Sequence, residues 1–173
     1  MTSGEKSSFA TWHERLPDAA RKALELLSQP TPLVDCHTDY ERQSTPFFVD
    51  AWASSSDPVR VVVWLDNRYG SYMGDYDNWH HSIAYALPAE WFFDALARLQ
   101  AGGEISAQTR AEMIKEDEAW GSDCEHPYSD VTRQEVQIML RLELSADMKA
   151  VTLTLLEPRG GGWEPLTQLR QTA

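Results

Sequence analysis

Hydrophobic and polar positions alternate strictly within residues 133–144. Val136, Ile138, Leu140, Leu142 and Leu144 take one parity, and Gln137, Met139, Arg141 and Glu143 take the other. A period of two marks a strand with one buried face. After polar residues 145–148 the alternation resumes, with Val151, Leu153 and Leu155 against Thr152, Thr154 and Leu156. Two such runs separated by a turn predict an antiparallel hairpin. In residues 59–65, Val59, Val61 and Val63 alternate with Arg60, Val62 and Trp64. Apolar groups on both parities predict a central strand covered on two sides. Residues 82–87 read as a further strand. Residues 33–40 and 46–53 read as two short strands separated by polar residues 41–45, and the Ser, Asp and Pro of 54–58 as a turn.

Helical spacing appears in three places. Pro17 opens a helix in which Ala20, Ala23, Leu24 and Leu27 form one apolar stripe, and Pro30 and Pro32 stop it. Pro88 opens a second, with Trp91, Phe92, Ala95, Leu96 and Leu99 on its stripe and Gly102-Gly103 at its end. Ser106 reads as the N-cap of a third and more polar helix running to about residue 120, with Ala107, Ala111 and Ile114 inward. Helices that segregate from consecutive strands predict an α+β fold, with helices on one face of a mostly antiparallel sheet that ends in a long β-hairpin. One domain over 1–173 is expected, with residues 1–8 frayed and 159–173 as a C-terminal tail.

Composition supports a folded chain, since 42% hydrophobic and 24% charged residues match ordinary globular domains. The formal net charge of −12 changes the picture more. It repels phosphate backbones, so direct nucleic-acid binding is disfavoured. It also attracts a basic protein partner at a distance. Residues 104–130 hold eight acidic and two basic residues, a net −6, while residues 131–173 balance at five of each. No apolar run reaches the roughly 18 residues of a membrane helix. The polar first twelve residues lack the apolar core of a signal peptide, and two well-separated cysteines suit a reducing cytoplasm.

Residues 66–81 read as a long aromatic loop between two strands, carrying Tyr69, Tyr72, Tyr76 and Trp79 with Gly70, Gly74, Asp66, Asp75 and Asp77. Tyr and Trp offer rigid contact area with a polar tip, as binding surfaces favour. The same rings could instead fold back as a small satellite core. The run from Asp75 superficially matches a calcium loop, but His80 and Ala86 stand where glycine and the bidentate Glu are needed.

Other chemistry is weakly signalled. Cys36 and His37 with Cys124 and His126 could complete a zinc site if their segments met, yet adjacent strand residues point to opposite faces and paired ligand spacing is missing. No metal or cofactor is expected. Neither cysteine sits in a nucleophile signature, and Gly160–Gly162 is followed by no Lys-Ser/Thr and opens no helix, as a phosphate loop requires. The leading expectation is an acidic, inhibitor- or immunity-protein-like module that occludes a basic partner. Tyr69, Tyr72, Asp75, Tyr76, Asp77 and Trp79 would supply anchors, and Glu116, Asp117 and Glu118 would steer. The alternative is a small enzyme or ligand-binding domain with a pocket under the 66–81 loop, lined by Asp66, His80 and His81.

Overall fold

A computed structural model describes residues 13–29, 36–37, 40–44, 49–52, 60–72, 77–121 and 124–173. Helix α1 spans Asp18–Leu27. The strands β1 (Cys36–His37), β2 (Tyr40–Ser44), β3 (Val49–Trp52), β4 (Arg60–Tyr72) and β5 (Asp77–Pro88) follow, then helix α2 (Ala89–Ala97). Four long strands complete the chain: β6 (Glu104–Trp120), β7 (Tyr128–Leu144), β8 (Ala150–Arg159) and β9 (Gly162–Thr172). All pairings are antiparallel, and from β4 to β9 every strand lies beside its sequence neighbour. The short β2 and β3 pair with successive stretches of β4. The architecture is a sheet-dominated α+β fold with few helices.

The hairpin read from residues 133–156 is present, with Leu140 opposite Leu155 and Leu142 opposite Leu153. Ile138, Leu140, Leu142 and Leu144 are buried and Val136 is packed against them. Its turn needs a left-handed residue, Met148 at φ 57°. Ser145 Oγ donates to Asp147 Oδ1 at 2.7 Å, and the Lys149 and Ala150 amides donate to the Ser145 hydroxyl. Helix α1 follows Pro17, with Asp18 in its positively polarised first turn. Arg21 Nη2 ties it to the Leu16 carbonyl at 2.9 Å.

One buried cluster joins Ala20, Ala23, Leu24 and Leu27 of α1, Phe92, Phe93 and Leu96 of α2, and same-parity side chains of six strands. Each fully buried Leu or Phe contributes about 1.5–3 kcal/mol relative to exposure. Val62, Ala84 and Ala86 are buried on the other parity, as a strand covered on both sides requires.

Four expectations need correction. Residues 106–120 are strand β6, not helix. Ile105, Ala107, Thr109, Ala111 and Met113 share one parity, and β6 is hydrogen-bonded on both sides, by β5 and β7. These ladders outweigh a helix propensity of a few tenths of a kcal/mol per residue. Residues 66–72 and 77–81 are not loop. They extend β4 and β5, paired from Arg60/Pro88 to Tyr72/Asp77. The polar residues 41–44 are not a break between strands, because they lie in β2 opposite residues 68–71. The tail is strand β9, with Leu169 buried opposite Leu153. Gly160 and Gly161, at φ 61° and 83°, form the two-residue turn before it. Positive φ at both central positions gives the turn twist that hairpins favour.

Candidate functional site

Continuous buried packing along the central strands stops near Ile114 in β6 and Ile138 in β7. The strands run on, so β4, β5, β6 and β7 project past the core as an arm. Across the arm the register aligns Gly70, Trp79, Ala119 and Tyr128 in one row and Arg68, His81, Asp117 and Asp130 in another row two residues along. Tyr69 stands opposite His80 and Tyr72 opposite Asp77. Asp75 and Tyr76 lie outside the described residues. The aromatic and acidic segments, forty residues apart in the chain, are therefore neighbours in the sheet.

Strand geometry divides the acids, because consecutive side chains point to opposite faces. Asp117 shares its parity with Ala111 and Met113, on the core side of the sheet. Glu116 and Glu118 lie on the other side with Trp120, and Val131 is opposite Glu116. As one stretch of a helix these carboxylates would be a single solvated face; as a strand they serve two. On the core side, His81 Nδ1 donates to Asp117 Oδ1 at 2.5 Å. On the other, Ser129 Oγ donates to Glu118 Oε1 at 3.5 Å. His80 and His81 also alternate, so they do not line one pocket, and there is no 66–81 loop to roof one.

Trp120, Tyr128 and Val131 are 46%, 54% and 47% exposed, the exposed large hydrophobics among the described residues. All three sit on the arm. Trp79 is half-buried between Gly70 and Ala119, residues with little or no side chain. Sequence reasoning missed Trp120 and Tyr128. The signal available was an aromatic residue at each end of a short polar connection between two strands.

Recesses among the described residues lie elsewhere. A groove of about 470 Å³ opens where β8 leaves β7, lined by Tyr85, Met113, Val136, Ile138, Pro158 and Leu166 among others. Tyr85 Oη donates to Met113 Sδ at 3.6 Å, and burial, followed by the charge of Glu157, raises its phenol above the ordinary value. A smaller recess of about 300 Å³ contains Glu104, Glu143, Thr152 and Arg170. There Glu104 and Glu143 are directly opposed. A hydrogen bond with Glu104, then burial and the Glu104 charge, raise the Glu143 carboxyl, while Arg141 opposes the shift.

That raised value makes the protonated pair the more stable one. Its contribution is complete below the ordinary carboxylate range and is lost as pH rises through the folded value. Glu143→Gln removes the titration and keeps a hydrogen-bond donor. Its melting temperature relative to the parent should therefore rise between pH 4 and pH 7. Solvent screening at this exposed site limits the effect to roughly half a kcal/mol. Parallel melting curves that differ by the same amount at both pH values would contradict it.

Among the described residues no cluster of three or more His, Cys, Asp or Glu is arranged to hold a metal. Cys124 is a half-buried free thiol. No described helix is long and apolar enough to cross a membrane. No protein-family model, curated protein or solved structure matches the chain.

Proposed function

We propose that this protein is a binding module that occludes a basic protein partner, and that the β4–β7 arm is its contact surface. The observation that carries the proposal is the coincidence of exposure and charge. Trp120 and Val131 are exposed on the face that carries Glu116 and Glu118, and Tyr128 is exposed on the opposite face of the same arm with Asp117 and Asp130. Isolated exposed apolar side chains need no explanation, but a group of them on one projection does. Aromatic anchors with acidic neighbours suit a cationic partner, the anchors holding the complex and the charges speeding encounter. In this reading both helices pack on one face of the sheet, consistent with the single cluster they share with it, and the arm extends past their cover. Tyr69, Tyr72, Asp77 and Trp79 contribute from β4 and β5, and Asp75 and Tyr76 from the connection between them.

The test compares proteins retained by the parent with those retained by a variant carrying Glu116→Lys, Asp117→Lys and Glu118→Lys. The parent should retain a basic protein that the variant does not. Their association rate should fall steeply between 50 mM and 500 mM salt, because the attraction is screened over about 8 Å at physiological ionic strength. Retention by both forms alike, with a salt-independent rate, would leave the acidity as a solubility device.

A further inference from the structure

We propose that the open edge of β7 binds its partner by strand addition, accepting an extended basic segment between β7 and the tip of the β8–β9 hairpin. The proposal rests on the reading of the arm as a site for a basic partner and specifies how that partner is held.

The argument begins with which backbone groups face outward. The Leu144 amide and carbonyl bond to Gly103 and Gly102, beside β6, whereas the Ser145 amide donates to Ala150 on the β8 side. Antiparallel strands alternate these directions residue by residue. The β6/β7 register is unbroken from Glu104/Glu143 to Ala119/Tyr128. Ser129, Val131, Arg133, Glu135 and Gln137 therefore turn their amide and carbonyl groups away from β6.

Nothing among the described residues pairs with that edge. The β7/β8 ladder ends at Met139/Leu156. One repeat further on, Pro158 would have to donate to Gln137, and proline has no N–H to give. The register of β8 against β9 also shifts between Leu155 and Leu156, and a groove lies in the fork between residues 134–138 of β7 and Glu157, Pro158 and Leu166. A long edge with unpaired groups is a template for another strand, and here it is continuous with Tyr128 and Val131.

The surroundings select the occupant. The open edge carries Asp130 and Glu135, Glu157 stands at the fork, and Glu116 and Glu118 lie on the adjoining strand. Arg133 is already bonded to Glu112 at 2.8 Å. Met113, Val136 and Leu166 give the fork an apolar floor. A strand alternating Lys or Arg with an aliphatic residue meets the ladder, the acids and the floor together. A second copy of this chain fits poorly, because each copy carries −12.

The test uses three capped octapeptides: four Lys-Val repeats, the same peptide N-methylated at every residue, and four Thr-Val repeats. The N-methylated peptide keeps the charge and has no backbone donor for a ladder; Thr-Val keeps the ladder and lacks the charge. Lys-Val should bind at least tenfold more tightly than either and slow hydrogen exchange at the amides of Val131, Arg133 and Glu135. Val131→Pro removes one outward donor without touching the β6 ladder, whereas Val131→Ala removes only the side chain. The proline variant should bind Lys-Val at least tenfold more weakly than the alanine variant. The exchange measurement on the parent protein stands even if the proline variant does not fold.

Equal binding of Lys-Val and its N-methylated form would overturn strand addition and leave the basic-partner reading intact. Equal binding of Lys-Val and Thr-Val would remove the basic partner and keep the ladder. Binding of none of the three, or a parent dimer that Val131→Pro dissociates, would also overturn the proposal.

Discussion

Phe92→Ala should lower the unfolding free energy by about 3–5 kcal/mol, the range for a fully enclosed aromatic ring. The ring is inaccessible to solvent and meets Phe93 edge to face at 5.4 Å. It belongs to the cluster that joins α1, α2 and the sheet. Its removal leaves a cavity that the surrounding helix and strand side chains of that cluster can close only in part. For a chain of this length the loss corresponds to roughly 6–20 °C in melting temperature. Chemical or thermal unfolding reads it directly. A drop below 1 kcal/mol would mean that the cluster does not hold the helices to the sheet.

Trp120→Ala combined with Tyr128→Ala should behave in the opposite way. Both residues are about half exposed at the end of the arm, so stability should change by less than about 0.5 kcal/mol for each. Affinity for the basic partner should fall by about 2 kcal/mol or more, near thirtyfold, as anchor truncation does. Calorimetry of the partner complex and a melt of the free variant separate the two quantities. A stable variant with unchanged affinity would move the contact surface off the arm.

These contrasting outcomes follow from the same geometry that decided what the sequence could reveal. Strands β7 and β8 were legible where they cross the core, because Ile138, Leu140, Leu142 and Leu144 alternate between a dry face and a wet one. The arm was not. Residues 128–135 of β7 are exposed at every position, so no dry face exists to impress a period of two on the chain. Residues 66–81 misled through composition, because their glycines and aspartates mimicked loop chemistry. The true hairpin signal there was β-forming Tyr and Trp on both sides of a short connection. In β6 the competing signal was composition, since Ala107, Ala111 and Ile114 fall at helical spacing among Glu, Lys and Met. The odd-numbered run from Ile105 to Met113 carried the correct period. The Gly160-Gly161 turn was also readable, because paired glycines between alternating runs mark a tight hairpin.

For the candidate site, the sequence identified the aromatic and acidic segments but could not show that they adjoin. That depends on β5 and β6 pairing in a register set by buried residues further along both strands, such as Ala84 opposite Ile114. It also could not divide Glu116, Asp117 and Glu118 between two faces, because that follows only once the segment is known to be a strand.

The meander has a consequence for how the chain is made. From β4 onward each strand pairs with the next strand to emerge during synthesis, with α2 between β5 and β6, so the sheet can zip in order. Helix α1 cannot join it as early, since it packs on β8 and β9 and Gln171 Nε2 donates to the Gln29 carbonyl across 142 residues. Until the final strands arrive, Leu24 and Leu27 lack part of the cover they have in the folded protein.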